Sequence, residues 1–144
     1  MNTRMAEVLL VEDNPDDLEL ALHAFNQQQF GHRIQVARDG EEALELLFAA
    51  ADNQGSLPRV VLLDRKLPKV DGLEVLRQLR ADPRTRRLPV VMLTSSASDQ
   101  DVIESYDLGV NSYIVKPVGL QLFSETMRQL GLYWLALNQP VPEG

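Results

Sequence analysis

The chain has 144 residues, 44% of them hydrophobic, and a formal net charge of −7, which predicts one globular domain and makes nucleic acid an unfavourable direct partner. It contains no cysteine, so disulfides, thiolate zinc sites and a cysteine nucleophile are excluded. No apolar run approaches the ~20 residues that span a bilayer, and the N-terminal "MNTRMAEVLLVED" lacks the pattern of a signal peptide. We therefore expect a cytoplasmic protein that contacts no membrane.

Strands and helices are predicted to alternate along the chain. An apolar strand at about 8–11 precedes a helix with Asn14 as its N-cap and Pro15 in its first turn. Asp39 and Glu42 have the spacing of a capping box, which predicts the start of a second helix. The remaining predicted strands are RIQVA (33–37), 60–63, PVVMLTSS (89–96) and NSYIVKP (111–117), and the remaining helices are 72–81, 98–108 and one that carries Phe123.

This alternation predicts a doubly wound α/β fold. Helical crossovers connect parallel strands and cover both faces of the sheet that the strands form. We expect a flavodoxin-like, five-stranded parallel sheet in the order 2-1-3-4-5 with five helices. A single domain is expected over 1–144, with a core at about 7–137 and an extended or disordered tail at 138–144.

Polar residues follow four of the predicted strands. Glu12 and Asp13 end the first strand, Asp64 the third, Thr94 the fourth and Lys116 the fifth. Because the carboxyl ends of parallel strands line one crevice, these sequence-distant side chains are expected to converge. Three carboxylates in one crevice repel one another, and one lysine neutralises only part of their charge. A hard divalent cation such as Mg²⁺ would supply the remaining positive charge.

This set of side chains fits phosphoryl transfer onto an aspartate. A carboxylate can act as a nucleophile and form an aspartyl phosphate, and the reaction depends mainly on positioning and charge neutralisation. Each residue also has an ordinary structural explanation, because acids and threonine cap helices, aspartate ends strands and lysine occupies surfaces. Their joint occurrence at the strand ends favours the phosphoryl site.

Four motifs resemble, in order and in placement, those of the receiver domain of bacterial two-component response regulators. They are "LLVEDNPDD", "LLDRKLPKVDG", "MLTSS" and "YIVKP", and the resemblance covers about 7–137. It implies that Asp64 is the phosphoacceptor. It also implies a Mg²⁺ site formed by Glu12, Asp13, Asp64 and the backbone carbonyl of Lys66.

The same resemblance assigns the residues around the phosphoryl group. Thr94 resembles the hydroxyl that follows the phosphoryl group, and Lys116 resembles the phosphate-contacting lysine. Tyr113 resembles the switch aromatic of the fifth strand. The peptide bond before Pro117 is expected to be cis, and Gly72 fits the turn after the acceptor strand.

A narrower resemblance concerns the partner. The segments "VEDNPDDLEL", "SYDLGVNSYIVKP" and "YWL" resemble stand-alone receivers that pair with bacterial phytochrome histidine kinases. This implies a sensor histidine kinase as partner and no enzymatic activity beyond the protein's own phosphorylation and dephosphorylation. One alternative remains open, a phosphorelay intermediate that passes phosphate on to a histidine phosphotransferase. A second alternative, a pseudo-receiver that binds partners without phosphorylation, is disfavoured because all the key side chains are present. A hydrolytic aspartyl phosphatase is disfavoured, because Lys66 stands where such enzymes usually carry a second acid.

The sequence of the last predicted helix indicates a second interaction surface, in addition to the phosphoryl site. Its core stripe consists of residues at helical spacing, namely Phe123, Met127, Leu130, Trp134 and Leu137. Four further apolar residues fall outside this stripe, namely Leu122, Leu132, Tyr133 and Leu135. We expect them to form an exposed patch beside Tyr113, and such patches mark partner sites. A homodimer through helix 4, strand 5 and helix 5 would bury the patch symmetrically.

Overall fold

The structure, a computed structural model, describes residues 6–28, 33–53 and 56–142. Its strands are β1 Val8–Val11, β2 Ile34–Ala37, β3 Val60–Leu63, β4 Val90–Thr94 and β5 Ser112–Val115. They form one parallel sheet in the order β2-β1-β3-β4-β5, as the sequence predicts. The carboxyl ends of β1 and β3 lie in register, because Val11 pairs with Leu63, whereas β4 extends two residues beyond Met92, the partner of Leu63, and ends at Thr94.

Five α-helices connect and follow these strands. They are α1 Pro15–Gln27, α2 Gly40–Asp52, α3 Gly72–Ala81, α4 Asp99–Asp107 and α5 Leu120–Leu132. The predicted cap of α1 is confirmed, because the Asn14 side chain accepts hydrogen bonds from the backbone N–H groups of Asp16 and Asp17. The Asp39 carboxylate accepts from the Glu42 N–H in the same way at the start of α2.

The helices cover the two faces of the sheet as separate layers. Successive residues of a strand point to opposite faces, so Leu9 and Val11 pack with α2 and α3, whereas Val8 and Leu10 pack with α1 and α5. Strands β1, β3 and β4 are buried throughout. None of the helices in the described ranges is both long and apolar enough to cross a membrane.

The predicted core stripe of the last helix is wrong at its end. Beyond Leu132 the chain continues as a π-helical turn, Tyr133–Leu137, in which the Asn138 N–H donates to the Tyr133 carbonyl at 2.6 Å. A π turn bonds residues five positions apart and is wider than an α turn, so each residue rotates through a smaller angle. Leu135, predicted to be exposed, is therefore 5% exposed and packs in the core, whereas Leu137, predicted to be buried, is 67% exposed.

The chain after Leu137 carries no regular structure as far as residue 142. The extended or disordered tail at 138–144 stays a prediction, and its residues 143–144 lie outside the described ranges.

Candidate functional site

Three carboxylates meet at the carboxyl edge of the sheet. Glu12 and Asp13 follow β1, and Asp64 follows β3, where its N–H donates to the Val11 carbonyl at 3.1 Å. One oxygen of each carboxylate lies within 4.8 Å of the others. Glu12 is 3% exposed and Asp64 9% exposed, whereas Asp13 is open to solvent. These oxygens form an acidic pocket of the kind that hard divalent cations prefer.

Lys116 supplies the positive charge of the pocket. Its backbone N–H donates to the Thr94 carbonyl at 2.7 Å, which fixes it beyond the end of β5. Its side chain reaches the pocket, where Nζ donates to Glu12 Oε1 at 2.6 Å, to Asp17 Oδ2 at 2.9 Å and to Asp64 Oδ2 at 3.0 Å. All three N–H groups of the ammonium therefore have a carboxylate acceptor.

The pKa values of Glu12 and Lys116, the closest ion pair of the pocket, are both shifted from their ordinary values. Burial raises the pKa of Glu12 to about 7, and the neighbouring Asp64 charge adds to this against the opposing hydrogen bond from Lys116. Burial alone would lower the pKa of Lys116, but the hydrogen bonds to Glu12, Asp17 and Asp64 raise it above its ordinary value. The lysine therefore stays charged, and Glu12 is the group that exchanges a proton near neutral pH.

Asp17 is the residue of the site that the sequence analysis missed. An acid in the first turn of a helix is explained by a favourable interaction with the helix dipole, so its sequence position alone does not indicate a site residue. The structure shows that this turn lies at the same sheet edge as the pocket, and that the Asp17 carboxylate is one of the three acceptors of Lys116. The signal that could have found it is its place in the first turn of the helix that begins directly after Glu12 and Asp13.

The loop after β3 packs tightly on the predicted acceptor. The Lys66 N–H donates to Asp64 Oδ1 at 3.3 Å, while the Lys66 side chain is exposed. The role of the Lys66 carbonyl as a metal ligand stays a prediction. A Cβ at Gly72 would lie 2.2 Å from the Asp64 carbonyl oxygen, so only glycine allows α3 to begin here.

Thr94 and Tyr113 are joined through the loop after β4. Thr94 ends β4 and is buried, and its Oγ1 accepts a hydrogen bond from the Ser96 N–H at 3.3 Å. The Tyr113 hydroxyl donates to the Ser96 carbonyl at 2.8 Å, and its ring packs on the core. Thr94 and Tyr113, the predicted switch aromatic, thus both contact one loop residue, Ser96. The peptide bonds of the described ranges are all trans, so the expected cis bond before Pro117 is not found.

The sequence of residues 8–128 matches the family described as the response regulator receiver domain. The chain belongs to this family. The receiver domain is 45% identical to the probable methanogenesis regulatory protein FilR2 of Methanothrix harundinacea over 92% of this chain and 85% of that protein. It is 36% identical to the response regulator Rcp1 of Synechocystis over 89% of this chain and 88% of that protein.

Solved structures confirm the receiver fold. The phosphorylated cyanobacterial phytochrome response regulator RcpA is similar with a TM-score of 0.85 and 36% identity, over 94% of this chain and 97% of that chain. The Mn²⁺-bound form of Rcp1 gives a TM-score of 0.83 and 34% identity, over 94% of this chain and 98% of that chain. The receiver domain described here is therefore similar to response regulators of phytochrome signalling.

Proposed function

We propose that this receiver domain accepts a phosphoryl group on Asp64 from a sensor histidine kinase of the phytochrome type. The observation that carries the proposal is the position of the Asp64 carboxylate, which accepts from Lys116 at 3.0 Å and shares a pocket with Glu12 and Asp13. The similarity to Rcp1 and RcpA supports the choice of kinase.

The transfer itself requires little covalent chemistry from the protein. An Asp64 oxygen attacks the phosphorus of a phosphohistidine, an O–P bond forms as the P–N bond breaks, and the leaving imidazole takes a proton from solvent. Glu12, Asp13, Asp64 and the Lys66 carbonyl would hold Mg²⁺, which neutralises phosphoryl charge when bound. Lys116, freed from Asp64, donates to the phosphoryl oxygens and stabilises their negative charge.

The output is a change of shape between two populated states. A Thr94 hydroxyl that turns toward the phosphoryl group gives up its hydrogen bond from the Ser96 N–H. The Ser96 carbonyl is the acceptor of the Tyr113 hydroxyl, so movement of this loop changes the position of the ring. Phosphorylation then shifts the population toward the rearranged state of α4 and β5.

Substitution of the acceptor tests the proposal. Asp64→Asn should abolish labelling by the phosphorylated kinase and by acetyl phosphate, and a chelator should stop the labelling of the wild-type chain. Asp71→Asn is the matched control, because Asp71 is an exposed carboxylate near the site that makes no capping hydrogen bond. Stoichiometric labelling of Asp64→Asn, or full labelling in chelator, would contradict the site.

Two properties complete the proposal. The receiver catalyses no reaction beyond its own phosphorylation and dephosphorylation, because Lys66 stands where hydrolytic aspartyl phosphatases usually carry a second acid. Onward transfer to a histidine phosphotransferase uses the same Asp64 chemistry in reverse. Loss of label from the isolated phosphorylated receiver on addition of a phosphotransferase, with label appearing on histidine, would identify it as a relay intermediate.

We further propose that the receiver forms a homodimer through the face of α4, β5 and α5. This face carries exposed apolar side chains on all three elements, namely Ile103, Tyr106, Val115 and Leu122, and Tyr133 is exposed in the π-helical turn that follows α5. Leu135, included in the sequence prediction, is buried and does not contribute. Tyr133 also lines a cavity of about 500 Å³ beside the edge strand, together with Ser112 and Ile114.

Sedimentation at micromolar concentration tests the dimer. Tyr133→Asp should shift the wild-type dimer toward monomer while leaving the labelling of Asp64 intact, because the substitution places a charge on the contact face. Val141→Asp is the control, since Val141 is an equally exposed apolar residue outside these three elements. A wild-type monomer with and without beryllofluoride would refute the dimer.

A further inference from the structure

Asp17 differs from the other two acceptors of Lys116. Glu12 and Asp64 both belong to the group of carboxylates whose oxygens lie within 4.8 Å of one another, together with Asp13. Asp17 contacts the lysine at 2.9 Å from outside that group. When a divalent cation and a phosphoryl group engage Glu12 and Asp64, Asp17 is therefore the acceptor that Lys116 retains.

The Asp17 carboxylate is held in a fixed place. Asp17 is the third residue of α1, and its N–H donates to the Asn14 side chain at 3.1 Å. Helix α1 packs against α5 and buries Phe25 in the core beneath the sheet. The carboxylate thus projects from the capped first turn of a packed helix, whereas Lys116 reaches it through a flexible four-carbon stem.

We infer that Asp17 is a positioning residue, which holds the Lys116 ammonium by one N–H so that the other two can donate to the phosphoryl oxygens. This rests on the proposed phosphorylation of Asp64 and extends it to a residue outside the acidic pocket. An ammonium fixed in advance stabilises transition-state charge without reorganising during the transfer. A hydrogen-bond acceptor at position 17 is what the role requires, and its negative charge is secondary.

Two substitutions separate the hydrogen bond from the charge. Asp17→Ala removes the acceptor, and Asp17→Asn keeps an acceptor oxygen while removing the charge. Asp16→Ala is the matched control, because Asp16 lies in the same turn, carries the same charge and is exposed. With acetyl phosphate and saturating Mg²⁺, Asp17→Ala should lower the maximal rate of labelling about tenfold. Asp17→Asn and Asp16→Ala should stay within about twofold of the wild type.

A readout other than labelling distinguishes positioning from a general structural effect. The affinity for Mg²⁺ should be the same in all four chains, because Asp17 lies outside the group of metal-site carboxylates. In Mg²⁺ without any phosphodonor, the NMR signal of the Lys116 ammonium should be protected from exchange with solvent in the wild type and in Asp17→Asn. Loss of this protection in Asp17→Ala is the signature of a lysine that has lost its anchor.

The outcomes separate this inference from the proposed function. The positioning role would be overturned if Asp17→Ala were labelled as fast as the wild type or faster. It would also be overturned if Asp17→Asn and Asp17→Ala were slowed equally. Failure of the wild type to be labelled would overturn the proposed phosphorylation, whereas the ammonium signal in Mg²⁺ tests separately whether Asp17 holds Lys116. Protection that persists in Asp17→Ala would overturn the positioning role.

Discussion

The guanidinium of Arg65 lies 3.1 Å from the Asp101 carboxylate, so the residue that follows Asp64, the proposed phosphoacceptor, is paired with the first turn of α4. Both side chains are largely buried, with 17% and 20% exposure. The Ser96 hydroxyl donates to the other oxygen of Asp101, and the Ser96 N–H donates to Thr94. The ion pair therefore joins the two ends of the site, Asp64 and Thr94, to one helix of the proposed output face.

Removal of this ion pair should destabilise the receiver. Arg65→Met leaves the largely buried Asp101 carboxylate without the positive charge of Arg65, and we expect a loss of about 1–2 kcal/mol in the free energy of unfolding. Urea unfolding measures this loss. The control is Arg77→Met, which breaks an exposed pair with Glu74 and should cost less. Equal losses in the two variants would show that the Arg65 pair is no stronger than a surface pair.

The raised pKa of Glu12 predicts that divalent metal binding depends on pH. Below pH 7 the Glu12 carboxyl holds a proton that a cation must displace, so the apparent affinity for Mg²⁺ should rise as the pH increases toward and through about 7. Calorimetry in buffers of different ionisation enthalpy measures the released proton. Glu12→Gln should remove the proton release, and an unchanged release in that variant would assign it to another group.

The same group gives the metal-free protein a pH-dependent stability. Its pKa is raised from 4.5 to about 7 on folding, so the folded chain binds more protons than the unfolded chain between these values. The contribution to stability is fully present below about 4.5 and is lost as the pH rises toward 7. Urea midpoints of the wild type should therefore fall over this range relative to those of Glu12→Gln.

The close contact at Gly72 predicts a large effect of a small substitution. Gly72→Ala places a Cβ against the Asp64 backbone carbonyl, and the overpacking should cost about 2–3 kcal/mol. It should also slow labelling, because the acceptor must move to relieve the contact. Asp71→Ala, one residue earlier and exposed, should change stability by less than about 0.5 kcal/mol. Wild-type stability of Gly72→Ala would mean that α3 shifts without cost.

The π-helical turn predicts which leucine of the C-terminal segment stabilises the core. Leu135→Ala removes a buried side chain and should cost about 2–4 kcal/mol. Leu137→Ala changes an exposed side chain and should cost less than about 0.5 kcal/mol. Thermal or urea unfolding of the two variants measures these losses. A larger loss in Leu137→Ala than in Leu135→Ala would mean that the α-helix continues through these residues, as the sequence predicts.

The strand ends were predictable from sequence because each is marked twice, by a buried apolar run and by the charged or hydroxyl residue that stops it. Glu12, Asp64, Thr94 and Lys116 were found in this way, and the parallel topology places them on one edge. Asp17 was not predicted, because the sequence does not distinguish an acid that interacts only with the helix dipole from one that also pairs with a lysine. Leu135 was misplaced because a regular α-helical period was extended through a turn whose hydrogen bonds span five residues.

The order of the strands also bears on how the chain assembles during synthesis. The acids of the site come from residues 12–64, whereas their ammonium comes from Lys116, after the last strand, which forms an edge of the sheet. Domains are synthesised and begin to fold from the N-terminus, so a chain that has emerged only through β4 holds the carboxylates before it holds the counter-charge. Docking of β5 then completes the sheet and brings Lys116, the positive charge of the pocket, to this edge, before α5 follows in the chain and packs against α1.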